Sequence, residues 1–250
     1  MNYTSKQDDK VALVTGSARR IGAAIVKDLH EAGFRVAIHC HHSLKDARAL
    51  AHVLNTRRLN SAYVFQEDLS REDAGHKLIS SVVAWAQRLD VLVNNASIFV
   101  PSDCLTVNTK VWQDLFTLNV QAPFELSSAA YPLLAATQGN IINITDIHAE
   151  KPLKGYAVYC QTKAALLMQT KVLAREFAPR VRVNAVAPGA IAWPEKDNAL
   201  SEEIRQQIIA KTPLQCHGKP AYIAKAVLAF VENPFITGQV LQVDGGRSIG

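Results

Sequence analysis

Tyr159 and Lys163 are the two side chains in this sequence best placed to move a proton. They stand four residues apart in an apolar-periodic run, Tyr156 to Phe177. A helix there puts phenol and ammonium one turn apart on one face. An ammonium beside a phenol favours the phenolate and lowers its pKa, which predicts a tyrosine usable as acid or base near neutral pH. Upstream, Asp146 ends the apolar run from Asn140 to Thr145. A strand ending there presents its carboxylate at the carboxyl edge of a sheet, where open α/β sheets bind ligands. Tyr-x-x-x-Lys alone is also what a satisfied tyrosine and a solvated lysine produce on any helix. The surrounding elements decide between the two.

Apolar β-rich runs alternate with amphipathic helical runs along the chain. The strands read as Val11–Thr15, Arg35–His39, Ser61–Gln66, Asp90–Val93, Asn140–Thr145, Val181–Val186 and Val240–Val243. The helices read as Ile21–Ala32, Leu44–Asn55, Arg71–Arg88, Val111–Leu134, Tyr156–Phe177, Glu202–Ala210 and Tyr222–Val231. Such alternation with short loops predicts an α/β fold: one doubly wound, Rossmann-type domain with a mostly parallel seven-stranded sheet. No linker, repeat or low-complexity stretch divides residues 1–250, and residues 1–10 read as a polar tail.

The first strand–helix turn, Thr15-Gly16-Ser17-Ala18-Arg19-Arg20-Ile21-Gly22, is a candidate phosphate site. Gly16 permits a tight turn, Gly22 close helix–sheet packing, and the helix N-terminus aims amides at an anion. A dinucleotide fingerprint carries a middle glycine; Arg20 stands in its place. An NAD site expects an acid after the second strand to hold the ribose 2′-hydroxyl. Here His39-Cys40-His41-His42-Ser43 follows, without an acid, and Arg19 lies in the turn, which favours NADPH. The histidines could instead mark a metal site or a solvated loop. No carboxylate or thiolate cluster with ligand spacing accompanies them, so no metal is expected.

Hydrophobic residues at 48% and charged residues at 20% describe an ordinary globular protein. The net charge of +5 is spread along the chain and suits an anionic small ligand better than nucleic acid. Four scattered cysteines without Cys-x-x-Cys spacing imply reduced thiols in the cytoplasm. No apolar stretch approaches the ~20 residues that cross a bilayer, and the start of the chain lacks a signal-peptide core.

With these residues assembled, the chain resembles the short-chain dehydrogenase/reductase family. The resemblance rests on Thr15-Gly16-x5-Gly22, Asp68-Leu69, Asn94-Asn95-Ala96, Asn119, Tyr159-x-x-x-Lys163, Pro188-Gly189 and Ile236-Thr237-Gly238…Val243-Asp244-Gly245-Gly246. Two departures, Arg20 for the middle glycine and Asp146 for the active-site serine, resemble the pteridine reductases. So do His39-x-x-His42-Ser43 and Asn95-Ala96-Ser97-Ile98-Phe99. That subgroup commonly has arginine where His42 stands, so 2′-phosphate binding would rest on His39, His42, Ser43 and Arg19.

The resemblance implies roles. Gly16, Ser17, Arg19, Arg20, Ile21 and Gly22 would hold cofactor phosphate. Asp68 and Leu69 would meet adenine, and Asn95, Ala96, Ser97 and Thr145 would line the cofactor path. Lys163 would hold the nicotinamide ribose, with Tyr159 beside it and Pro188 and Gly189 bordering the ring. Asn119 would hold a water linking Lys163 to solvent. Phe99 would stack on a pterin, or else pack in the core. Arg20, Ser97, Asp146, Tyr159 and Trp193 complete the substrate side, with Trp193 either a lid residue or a hydrophobic anchor. The family is usually tetrameric, pairing the helices at Val111–Leu134 and Tyr156–Phe177.

The implied reaction reduces a dihydropterin, with dihydrofolate as a second candidate substrate, by delivering hydride to carbon and a proton to the adjacent nitrogen. A serine at 146 would donate a hydrogen bond to a ketone oxygen. An ionised aspartate cannot, and would repel a developing alkoxide. A protonated Asp146 could stand in for serine. The alternatives are a reductase of another substrate, such as a 3-oxoacyl thioester or quinone, and a non-catalytic NADP-sensing protein.

Overall fold

The computed structural model describes residues 10–193 and 200–250. The N-terminal tail, Lys10 apart, lies outside the described residues. The strands are β1 (Val11–Val14), β2 (Arg35–Cys40), β3 (Ala62–Gln66), β4 (Val91–Asn94), β5 (Asn140–Ile144), β6 (Arg182–Pro188) and β7 (Val240–Val243). The helices are α1 (Arg20–Glu31), α2 (Leu44–Arg57), α3 (Ala74–Ala86), α4 (Thr109–Phe116), α5 (Ala122–Thr137), α6 (Ala157–Phe177), α7 (Glu202–Ala210) and α8 (Pro220–Glu232).

The strands form one Rossmann-type sheet in the order β3-β2-β1-β4-β5-β6-β7. Every pairing is parallel, where the sequence led us to expect mostly parallel. Alternate side chains of each strand point to opposite faces, and both faces are covered. Ala12, Val14, Val36, Ile38, Val91 and Val93 pack under α1, α2 and α8. Val11, Leu13, Ala37, Leu92 and Ile141 pack under α3, α5 and α6. Each fully buried aliphatic side chain contributes roughly 1.5–3 kcal/mol, so these two layers hold the sheet rigid. Strand order reverses between β1 and β4, which opens a crevice at the carboxyl edge between them.

One expected element divides. The helix read over Val111–Leu134 is α4, then a wide π turn at Thr117–Gln121, then α5. The amide of Ala122 donates five residues back, to the carbonyl of Thr117. Pro123 is the physical reason: it lacks the N–H that the Asn119 carbonyl would otherwise accept. The helix expected from Arg71 begins only at Ala74, because Asp73 adopts a left-handed backbone at φ +59°.

Candidate active site

The turns after β1 and β4 meet at the crevice. Gly16 is left-handed at φ +60°, and a Cβ there would lie 2.9 Å from the Cα of Ala96. Thr15 Oγ1 accepts from the amides of Asn95 and Ala96, both at 2.9 Å. The Asn95 amide group donates back to the carbonyls of Thr15 (2.8 Å) and Gly16 (3.0 Å). Gly22 sits in the first turn of α1, where a Cβ would be 2.7 Å from Asn95 Nδ2. The start of α1 has no side-chain cap, so its first-turn amides remain for an anion, and Ile21 beside them packs into the core. These residues fit a dinucleotide's phosphates.

Arg20 takes the left-handed backbone a glycine would adopt, at φ +53°, a conformation costing about 1–2 kcal/mol for a residue with a Cβ. Its guanidinium donates to the carbonyls of Ala192 (2.8 Å) and Trp193 (2.9 Å). It thereby ties the phosphate turn to the segment leaving β6. Pro188 ends β6, and Gly189 follows so tightly packed that a Cβ would strike Asp244 at 2.6 Å.

Beyond β2 the structure divides the expected set. His39 is buried: Nδ1 accepts from the Gly16 amide (3.0 Å), and Nε2 donates to the Glu67 carbonyl (3.1 Å). Burial lowers its pKa to about 4, so it is a neutral brace for the turn and not the phosphate donor expected of it. Ser17 also turns inward, its hydroxyl on the His39 backbone. Exposed at the same edge are His41 and His42, stacked at 3.5 Å, and Arg19, 3.6 Å from Asp46. Ser43 precedes α2 without capping it. Asp68, held below the usual carboxylate range by the Ser70 hydroxyl, faces His41 at 3.7 Å, while Leu69 is buried in the core.

The proton-handling groups converge from β5 and α6. Tyr159 Oη donates to Asp146 Oδ2 at 2.7 Å. Asp146 Oδ1 accepts the His148 amide at 2.9 Å, capping a short 3-10 turn that fixes the carboxylate. Thr145 secures the strand end, its hydroxyl donating to the Val186 carbonyl at 3.1 Å. Lys163 Nζ donates to the Ile144 carbonyl (3.1 Å) and lies 5.6 Å from the Tyr159 ring centroid. Here the expected electrostatics reverse. Tyr159 is raised well above its ordinary pKa, first by burial and then by the Asp146 carboxylate. Lys163 is itself lowered to about 8 by burial, against the pull of Asp146. The phenol therefore holds its proton at neutral pH, and the phenolate expected from the Tyr–Lys spacing is disfavoured.

Comparison with known proteins agrees with this layout. The family profile described as enoyl-(acyl carrier protein) reductase matches residues 16–248. The chain belongs to the short-chain dehydrogenase/reductase family. A 3-oxoacyl-[acyl-carrier-protein] reductase FabG of Staphylococcus epidermidis is 35% identical over 95% of this chain and 98% of its own length. A Streptomyces violaceoruber protein named for ketoacyl reduction in granaticin polyketide synthesis is 36% identical, over 98% and 99%. Among solved structures, the NADP complex of FolM alternative dihydrofolate reductase 1 from Brucella canis superposes with a TM-score of 0.88. It is 35% identical and covers 97% of this chain and 96% of that one. The chain is thus an oxidoreductase of the short-chain family, and its cofactor class is NAD(P)H.

Within this short-chain reductase, Asn119 sits in the π turn with its side chain fully engaged. Oδ1 accepts from Ser97 Oγ (3.1 Å) and the Ile98 amide (2.9 Å); Nδ2 donates to the Ile98 carbonyl (3.0 Å) and Thr162 Oγ1 (3.1 Å). Holding a water would fall to its main-chain carbonyl, the group that Pro123 leaves without a helical donor. Phe99 stacks on Tyr156 (4.3 Å) and meets Tyr159 edge-on (4.7 Å), in a small cluster with Leu115 and Val158. Trp193 packs on His217 at 4.2 Å. Two positioning residues escaped the sequence reading. The hydroxyl of buried Ser102 accepts the amides of Val158 (3.0 Å) and Tyr159 (3.5 Å), capping α6 from over fifty residues away. Thr162 joins Asn119 to the Tyr159 carbonyl, to which it donates at 2.7 Å. Neither has a local sequence signature, since the α6 amides reach Ser102, and Asn119 reaches Thr162, only through tertiary folding.

Among the described residues no group of three metal-ligating side chains occurs, and no helix is long and apolar enough to cross a membrane.

Proposed function

We propose that this chain is an NADPH-dependent pteridine reductase, converting dihydropterins, and dihydrofolate among them, to tetrahydropterins. The observation that carries the reading is the 2.7 Å hydrogen bond from Tyr159 to Asp146, a carboxylate where ketone reduction needs a hydroxyl donor. The bound NADPH supplies hydride. Gly16, Arg19, Arg20, Ser43, Asp68 and Asn95 hold its adenosine and phosphate end, and Lys163 with Gly189 its nicotinamide end. Among the described residues the Lys163 ammonium donates to the Ile144 carbonyl, and its remaining protons suit a ribose hydroxyl.

Proton delivery follows from the electrostatics. Tyr159 donates its proton to the pterin nitrogen as hydride reaches the adjacent carbon. Asp146 holds the phenol in place through their hydrogen bond, the nearby Lys163 ammonium supports the charge left on the phenol oxygen, and solvent returns the proton to Tyr159. Phe99 and Ser97 border the pterin at this point, and Arg20 reaches it from the phosphate turn.

The second reading is reduction of a 3-oxoacyl thioester, favoured by the names of the FabG-type relatives. NADPH oxidation followed against dihydrobiopterin, dihydrofolate and acetoacetyl thioester separates them. Turnover of the pterins is expected; turnover of the thioester alone overturns the first reading. Equal affinity for NADH and NADPH would remove the cofactor preference assigned to Arg19.

The same reading has the protein act as a homotetramer in the cytoplasm. Its support is the apolar surface on α4, α5 and α6: Trp112, Phe124, Met168 and Val172 are 40–58% exposed. Light scattering at micromolar concentration tests it, a monomer being the contrary result.

A further inference from the structure

Trp193, Arg205 of α7 and His217 ahead of α8 form a stack of three side chains. The Trp193 indole lies 4.2 Å from the His217 ring at 25°, and the Arg205 guanidinium stands over the same indole at 5.7 Å. Arg205 Nε and His217 Nε2 are both buried, with no hydrogen-bond partner among the described residues. Arg205 has a single loose ion pair among those residues, Nη1 to Glu202 at 3.8 Å. Two polar nitrogens left unpaired beside one aromatic face are costly unless something binds them. Burial and the neighbouring arginine both resist a proton on His217, so the local field is already positive.

The stack is attached to the reaction site at two points. Arg20 holds the Trp193 carbonyl from the phosphate turn, and the Gly218 amide donates to the Ala190 carbonyl at 3.0 Å, one residue past Gly189. A substrate whose ring lies beside Tyr159 would carry any extended tail out along this segment.

We infer that Arg205 and His217, braced by Trp193, form a subsite for an oxygen anion on the substrate's distal tail. The shared chemistry is carboxylate or phosphate. On the pterin reading, upon which the ligand assignment rests, it is the glutamate carboxylate of dihydrofolate; on the thioester reading, a phosphate of the carrier. Arg205 supplies a planar donor array with permanent charge, His217 a second donor when Nε2 carries its ring proton, and Trp193 the flat wall that aligns both.

The test compares kcat/KM for dihydrofolate with that for dihydrobiopterin, whose tail is uncharged, on one preparation of each variant. The ratio cancels any inactive fraction. In Arg205→Gln the preference for dihydrofolate should fall about tenfold or more, chiefly through KM, with Arg205→Lys and His217→Gln intermediate. A ratio within about twofold of wild type in all three overturns the inference. If no pterin turns over, the pterin reading has failed, and the ratio of acetoacetyl-coenzyme A to the uncharged acetoacetyl-N-acetylcysteamine carries the same test. Calorimetry on the NADP-loaded enzyme adds a readout without turnover. p-Aminobenzoylglutamate (carboxylate) or inorganic phosphate should bind wild type and weaken in Arg205→Gln. Absence of binding by both, or binding unchanged by the substitution, overturns the subsite.

Discussion

At the scale of single residues, Asp146 separates the competing chemistries. Asp146→Ser removes the acidic partner of Tyr159 and restores a neutral donor. Pterin turnover should fall by roughly 10²-fold or more while any ketone or thioester activity holds or rises. Assaying both substrate classes on that one variant decides it; undiminished pterin reduction would mean a protonated Asp146 was acting as a serine substitute. Lys163 sets a second expectation. Its ammonium, which supports developing negative charge near Tyr159, is lost as pH rises through about 8. Pterin reduction should therefore decline on the alkaline side of that pH, and Lys163→Arg should carry the decline upward, in a pH profile of kcat/KM. The identity of these residues was legible in the sequence because their spacing is local. Their electrostatics were not: four-residue spacing predicts the pull of Lys163 on the phenol, but not the burial and carboxylate that outweigh it.

At the scale of elements, the helix bearing Tyr159 is held by a hydroxyl from another part of the chain. Ser102→Ala should remove that cap and cost about 1 kcal/mol, lowering Tm by roughly 2–4 °C, with turnover reduced as Tyr159 loosens; calorimetry and steady-state rates read the two effects. Sequence periodicity located every strand and nearly every helix, because alternation and helical faces follow directly from which side chains must be buried. It failed where a single backbone group decides the outcome. Asp73 delays α3, and Pro123 divides the helix read from Val111 to Leu134. His39 was misread for a related reason: an exposed imidazole and one buried under a glycine turn look identical until the turn is built.

At the scale of the whole molecule, the buried His39 makes stability depend on pH. Its folded pKa of about 4 lies below the unfolded value of 6.5, so the unfolded chain takes up the proton first as pH falls. The stabilisation is complete above pH 6.5 and is lost progressively down to about pH 4, by roughly 3 kcal/mol from this residue. Urea midpoints measured from pH 7 to pH 4 should shift accordingly, and His39→Asn, which keeps an acceptor for the Gly16 amide, should flatten the shift. The π turn carries a different consequence for how this molecule can change over generations. An α-helix advances about 100° per residue, so each residue inside Thr117–Gln121 sets the rotational phase of everything after it. Deleting one would tidy the local hydrogen bonding, yet it would swing Leu126, Ala130 and Leu134 away from the sheet together. Quite apart from the side chain of Asn119, the segment therefore admits no change of length, which makes it a fixed counting point in the chain.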